Sequence, residues 1–317
     1  MHPMTVHLDT DIGGDLDDLC ALAMLLGWPN VEIAGVTTVV ENNGKRAGYA
    51  CYALDLGGRP DVPVAAGAEV GQGYFREAYG LPPEERYWPE PVSARPGPLD
   101  AALDLLAQSI DRGATVVAIG PLTNLALLER RSPGVLAKAT LCLMGGSINS
   151  APPTFPSWNH TMDFNVQADR YAAKVVSDAV DPARVTLVPI EVTVQTALRH
   201  AHLPALNGAD RLCALIGRQA EAWAQDERIA DQYGPSCPGL PPDIINFQHD
   251  PLACAVALGW DGVTVETLPL LAELEGEWLR DRIDPHGRPF RVVTRVERER
   301  FNAFWLSTVT GHGVRLE

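Results

Sequence analysis

The run 9-DTDIGGDLDD-18 places five carboxylates within ten residues, directly behind the apolar segment 4-MTVHL-8. Charges of one sign at this spacing raise one another's pKa and oppose compaction unless something positive lies among them. A solvated acidic loop that also caps a helix is one account of such a run. A hard cation is the other: Ca2+ takes about six to eight oxygen ligands from carboxylates, backbone carbonyls and water. Asp11, Asp17 and Asp18 offer such oxygens, and Gly13 and Gly14 let the backbone fold tightly between them. The run holds no Lys or Arg, so its carboxylates are expected to converge without a basic partner. No Cys or His cluster competes for a softer metal.

The elements that must position these residues follow from the apolar patterning. Short β-branched runs predict strands near residues 4–9, 32–40, 62–66, 114–120, 139–145, 184–192 and 263–270. Between them, spacings of three and four predict helices over 17–28, 45–58, 99–110, 122–131 and 167–180; Leu99, Ala102, Leu103, Leu106 and Ile110 share one face. Unbroken apolar strands alternating with helices indicate an α/β fold: an open, mostly parallel, Rossmann-like sheet covered on both faces. The segment 209–227 reads as a further helix leading into the loop 228–243. Residues 69–98 and 147–162 lack any period, and long aperiodic segments are more often functional loops than connectors. No internal repeat or linker divides the chain, so residues 1–317 are expected to form one domain.

In such a sheet, ligands sit beyond the carboxyl ends of the strands. The acidic run follows the first strand, Asn42 and Asn43 the second, and 120-GPLTN-124 the fourth. Met144-Gly145-Gly146 follows the fifth and Glu191 with Thr193 the sixth. The expected site is therefore a rim of carboxylates, amides and glycines at the C-terminal edge.

Composition bounds the partners. A formal net charge of −15 argues against nucleic acid and anionic membrane surfaces, which need a basic footprint. The six cysteines form no CxxC pair, which points to buried free thiols rather than zinc or disulfides. The N-terminus lacks a basic segment followed by a long apolar core, and no apolar run reaches membrane-spanning length. The expectation is a cytoplasmic protein acting on a small molecule.

With these features in place, the chain resembles the nucleoside hydrolases of the inosine–uridine-preferring type, whose N-terminal fingerprint usually reads DTDPGxDD. The blocks 35-GVTTVVENN, 58-GRPDVPVAAGAE, 118-AIGPLTNLALL, 144-MGG, 163-DFNVQADRYAAKVV, 187-LVPIEVT and 249-HDPLACA match in order. The tail 288-RPFRVVTRVERERFNAFWL suits the family's last strand and helix. The resemblance implies Ca2+-dependent cleavage of a ribonucleoside, or an analogue, into ribose and free base. It assigns the metal to Asp11, Asp18, the backbone carbonyl of Thr123 and Asp250, with Asp11 also the base toward a water on the metal. It gives the ribose to Asp17, Asn42, Asn159, Asp163 and Asn165, lines the sugar pocket with Met144, and makes His249 the acid for the departing base. It also implies a homodimer or homotetramer. Among the aromatics near the aperiodic segments (Tyr74, Tyr79, Tyr87, Trp88, Trp158, Trp223 and Tyr233), Tyr233 is chosen as the residue that stacks on the base.

The chemistry suits these residues. N-ribosidic cleavage passes through an oxocarbenium-like state, which a ring of carboxylates stabilises. Three departures stand out. One extra residue near Asp15 marks that carboxylate as a loop or cap residue. The loop after 67-GAE has no histidine for base contacts, and Asp163 stands where a glutamate is usual. Two other readings remain: a non-catalytic calcium- or sugar-binding relative, and a DxD phosphohydrolase with Asp9 as nucleophile.

Overall fold

The computed structural model describes residues 3–69 and 81–311. Its strands are β1 (Met4–Thr10), β2 (Val31–Thr38), β3 (Val64–Ala66), β4 (Thr115–Ala118), β5 (Thr140–Met144), β6 (Val185–Val188), β7 (Ala197–Arg199), β8 (Ile244–Phe247), β9 (Val263–Glu275), β10 (Trp278–Ile283) and β11 (Arg288–Val296). Among the described residues, nine of them form a sheet in the order β10-β9-β11-β6-β5-β4-β1-β2-β3. The run from β11 to β3 is parallel throughout, and β9 pairs antiparallel with both β10 and β11. This is the single α/β domain that the alternating pattern predicts.

Side chains alternate across each strand, and the two faces build separate cores. Val6, Leu8, Val117, Cys142 and Val188 pack toward helices Asp17–Gly27, Arg211–Asp226, His249–Ala257 and Arg298–Val309. Val116, Ala118, Leu141, Leu143 and Val185 pack toward helices Leu99–Asp111, Thr123–Arg131 and Arg170–Ala179. Trp305 is fully buried, and its indole N–H donates to the Cys20 carbonyl at 3.2 Å, tying the last helix to the first. All six cysteines are free thiols. No helix among the described residues is long and apolar enough to cross a membrane.

Four elements differ from the sequence reading. The helix expected over 167–180 is broken at Asp169, which leaves helical dihedrals and caps the helix Arg170–Ala179 by accepting from Ala172 N at 3.0 Å. The strand expected over 184–192 stops at Val188 because Pro189 has no N–H for the ladder, and Ile190–Thr193 coils into one helical turn. The strand at 263 runs on to Glu275 and turns back as β10, whose exposed, charged face hides its strand pattern. β7 and β8 form a small antiparallel ribbon with no local signal.

The order β4-β1-β2 puts a topological switch point at β1, where connections leave to opposite sides. Asn124 stitches this point together. Its Nδ2 donates to Asp9 Oδ1 at 2.8 Å and to the Thr38 carbonyl at 2.9 Å, and its Oδ1 accepts from Ala68 N at 2.9 Å. One fully buried amide therefore joins β1, β2 and the end of β3 to the helix after β4. Asn124→Ala removes all three of these bonds, though Asp9 Oδ1 keeps the Thr37 hydroxyl, and at about 1–3 kcal/mol per buried group left short a loss of about 2 kcal/mol or more is expected in urea unfolding. A loss under about 1 kcal/mol would show that water or neighbours replace the amide.

Candidate active site

The acidic run leaves β1 and enters the helix Asp17–Gly27 through a loop held from several sides. The Thr10 hydroxyl donates to Asp18 and accepts from Ile12 N at 3.2 Å. Gly13 has φ +103°, and a Cβ there would lie 2.4 Å from the Tyr49 ring, so only glycine fits. At Gly120, beyond β4, a Cβ would stand 2.7 Å from Asp11 Oδ1. Both glycines make room for the acidic loop.

Asp17, Asp18 and Asp250 converge: one carboxylate oxygen from each lies within 4.8 Å of the others, and all three residues are buried. They come from the first turns of two helices packed together, Asp17–Gly27 and His249–Ala257, whose N-termini favour negative charge. Asp17 Oδ2 also accepts from Asp250 N at 3.3 Å. Burial drives the pKa of each far above the usual carboxylate range, and repulsion by the other aspartates of the site, Asp11 among them, adds to it. Asp11 borders the trio and is itself pushed up by burial. Asp15 is pushed up to about 6 by burial; it accepts from Asp17 N at 3.3 Å and from the Asn246 amide, so it braces the loop.

The expectation of carboxylates without a basic partner is corrected here. Arg46, 3% exposed, sits behind the loop, and its charge lowers the pKa of Asp11 and Asp18. Its guanidinium donates to the carbonyls of Asp11, Ile12 (3.1 Å) and Val40 (2.8 Å). One arginine stands against the five carboxyl groups of Asp11, Asp15, Asp17, Asp18 and Asp250. Nothing in 45-KRAG marks Arg46 locally, because the partners that tie it to the acidic run, Asp11 and Ile12, lie more than thirty residues away in the loop after β1.

The remaining sequence-predicted residues divide into two groups. Met144 and Asn165 meet at the end of β5: Asn165 Nδ2 donates to the carbonyls of Ile119 (2.8 Å) and Met144 (3.2 Å) and approaches Met144 Sδ at 3.1 Å. Asp163 is buried beside them, accepting from Gly146 N and from Val166 N (3.2 Å), and burial lifts it to about 7. Thr123 turns its hydroxyl to Asp169 at 2.8 Å, so only its backbone carbonyl remains for the role the resemblance gave it. Asn42 and Asn159 are not drawn in. Asn42 is exposed, 3.5 Å from the Asn43 amide, and Asn159 is exposed and caps a 3-10 turn by accepting from Thr161 N at 2.8 Å.

His249 opens its helix within an aromatic group. Its ring centroid lies 5.9 Å from Trp158 and 5.5 Å from Phe247, and Tyr233 packs edge-on against both. Burial lowers the His249 pKa to about 4, and Nδ1 pairs with the Thr193 hydroxyl at 2.6 Å. The imidazole is therefore neutral at physiological pH. Trp88 stacks on Tyr49 at 4.1 Å, the Tyr87 hydroxyl donates to Asp226, and Trp223 meets Tyr87 edge-on, so these three are packing residues. Tyr74 and Tyr79 lie outside the described residues. Asp9 is fully buried under Thr37 and Asn124, out of reach of a phosphate, which removes the DxD phosphohydrolase reading.

The fold and this centre define an α/β protein with a buried acidic site at the switch point of a mostly parallel sheet. Residues 6–303 match the family of inosine-uridine preferring nucleoside hydrolases, and the chain belongs to it. By class it is an N-ribosyl hydrolase. An uncharacterised protein of Schizosaccharomyces pombe is 31% identical over 251 residues, 73% of this chain and 75% of that protein. The inosine-uridine preferring nucleoside hydrolase of Crithidia fasciculata is 25% identical, covering 87% of this chain and 85% of its own. A solved purine-preferring ribonucleoside hydrolase from Gardnerella vaginalis shares the fold, with a TM-score of 0.78 at 22% identity over 97% of this chain and 98% of its own.

Raised carboxylates have a signed consequence. A group whose folded pKa exceeds its unfolded value stabilises the fold below the unfolded pKa, and that contribution disappears as pH rises through the folded pKa. The metal-free protein therefore loses stability from this cluster above about pH 4. Asp17→Asn keeps an acceptor for Asp250 N and removes one repelling charge. Its metal-free Tm is expected to exceed that of the parent at pH 8, by about 2–4 °C per kcal/mol relieved, and to converge with it near pH 4. Equal melting at both pH values would mean that Asp17 feels no net repulsion.

Proposed function

We propose that this chain hydrolyses the N-glycosidic bond of a ribonucleoside or close analogue, giving ribose and the free base, with Ca2+ as cofactor. The observation that carries this reading is the convergence of Asp17, Asp18 and Asp250, with Asp11 alongside, in a buried centre whose own cation is already engaged with backbone carbonyls. Hard oxygen donors without sulfur or imidazole fit a hard divalent ion. Asp11, Asp18, Asp250 and the Thr123 carbonyl would hold it. Such an ion, when bound, lowers the pKa of a coordinated water and so supplies a nucleophile at neutral pH.

The chain's own residues do the rest. Asp11, beside the trio and partly relieved by Arg46, removes a proton from the attacking water. Asp17, Asp163 and Asn165 take the ribose hydroxyls, with Met144 against the ring, while the exposed Asn42 and Asn159 are left out of this set. Asp163, already holding two backbone N–H groups, keeps lone pairs for a hydroxyl. As the sugar gains positive charge, the surrounding carboxylates stabilise it more than the ground state. Trp158, Tyr233 and Phe247 form an apolar wall for the base, and His249 donates a hydrogen bond to it as a neutral imidazole. The whole chain works as one domain, a cytoplasmic enzyme assembled as a homodimer or homotetramer.

Release of free base from a panel of purine and pyrimidine nucleosides tests the reading. Turnover is expected with Ca2+ and should collapse on chelation. Asp11→Ala should lower kcat about 10³-fold or more, and His249→Ala about 10²-fold. Because burial holds His249 near 4, kcat should show no alkaline loss centred near pH 6.5. Chelation-insensitive turnover, or full activity in Asp11→Ala, would overturn the assignment.

A further inference from the structure

The turn Ile190–Thr193 carries a buried hydroxyl onto the ring of His249. Thr193 is fully buried, and its Oγ1 lies 2.6 Å from His249 Nδ1. The hydroxyl has a single proton and two acceptors near it, that nitrogen and the Ile190 carbonyl at 3.3 Å. Hydroxyl donors reach acceptors at about 2.5–3.0 Å and N–H donors at about 2.7–3.2 Å. A ring N–H donating to Oγ1, with the hydroxyl turned to Ile190, would put both bonds outside those ranges. The hydroxyl therefore donates to Nδ1. A ring nitrogen that accepts carries no proton, so the one proton of the imidazole sits on Nε2.

The frame around this contact is held from several sides. Ile190 N donates to the Gly146 carbonyl at 3.0 Å, which seats the turn against the end of β5. Thr196 is also fully buried, and its Oγ1 lies 2.8 Å from the Thr193 carbonyl and 3.0 Å from the Gln248 carbonyl. One hydroxyl thus joins the turn to the residue before His249. Glu191 accepts from Ile148 N at 3.2 Å and Asn149 N at 2.8 Å, tying the turn to the segment that carries Trp158. The Trp158 ring lies at 29° to the imidazole, so it restrains the tilt of the ring while Thr193 restrains its rotation.

We propose that Thr193 is a positioning residue for ribosidic cleavage: its hydroxyl holds His249 in the tautomer with the proton on Nε2, so that the departing base meets a donor. The inference rests on the hydrolytic reading and deepens it. As the N-glycosidic bond breaks, its electron pair passes to the base, and the hydrogen bond from Nε2 strengthens as that charge grows. The proton stays on the ring, because its loss would leave an imidazolate. Without the hydroxyl a neutral ring divides between two tautomers, and in the second a lone pair on Nε2 meets the charge on the base.

Two measurements on the whole chain test it. The first needs no turnover. Long-range 1H–15N correlation of His249, assigned by its loss in His249→Ala, should show the proton on Nε2 in the parent. Thr193→Val keeps the volume, removes the hydroxyl and should show both tautomers. A parent ring protonated on Nδ1 would overturn the proposal. The second compares inosine and uridine with 4-nitrophenyl riboside, whose nitrophenolate leaves as a stable anion without a donor. With Ca2+, Thr193→Val should lower kcat on the nucleosides about tenfold or more with KM little changed. That fall should exceed the fall on 4-nitrophenyl riboside about fivefold or more, and Thr193→Ser should recover to within about threefold of the parent. Equal losses on both kinds of substrate, or full nucleoside turnover in Thr193→Val, would overturn the proposal. A parent that cleaves none of the three overturns the hydrolytic reading and with it this role, while the tautomer measurement shows separately whether the hydroxyl sets the ring.

Discussion

Mutual repulsion among buried carboxylates is the constraint around which this structure is arranged. Asp11, Asp15, Asp17, Asp18 and Asp250 crowd one end of β1; burial raises every one of them above the usual carboxylate range, and repulsion by neighbouring aspartates adds to it at Asp17, Asp18 and Asp250. Left to itself such a group would spread apart or take up protons. The surrounding elements prevent the first. Two helix N-termini point at the trio, Thr10 donates to Asp18, Asn246 donates to the neighbouring Asp15, and Arg46 pins the loop carbonyls from behind.

That arrangement explains the plainer parts of the fold. Parallel strands bring their C-terminal ends to one edge, and the reversal of strand order at β1 opens a crevice there. The stitching by Asn124 and the close approaches at Gly13 and Gly120 hold the crevice walls within van der Waals distance of the acidic loop. The proposed function, in which the site would hold a cation and then a cationic sugar, calls for this preorganisation, since fixed charges act on a transition state without reorganising at the moment of reaction. His249, set among Trp158, Phe247 and Tyr233, has surroundings of the opposite character, apolar with one directed polar group, which suits the leaving-base role proposed for it.

The division between what local sequence shows and what it hides follows the range of the interactions. Apolar periodicity is a local property, so β1 through β6, the start of β9 and most large helices were legible at their places. Elements whose form depends on partners were not: β10, half exposed in a charged hairpin; the ribbon of β7 and β8; and the break at Asp169, set by a side-chain cap.

The same physical line runs through the site. The acidic run, the DTDIGGDLDD fingerprint and the ordered blocks up to 249-HDPLACA determined by themselves the fold class and the family, and pointed to Asp11, Asp17 and Asp18 as oxygen donors, because residue type and spacing encode them. Only the tertiary structure decided that Asp17 joins Asp18 and Asp250, that Arg46 stands behind them, and that Asn42 and Asn159 remain at the rim. It alone decided that His249 is neutral and that the Thr193 hydroxyl meets its Nδ1. Those facts depend on burial and on contacts between residues up to about two hundred and thirty positions apart, and electrostatic energy is set by distance in space and by the surrounding dielectric, not by position in the chain.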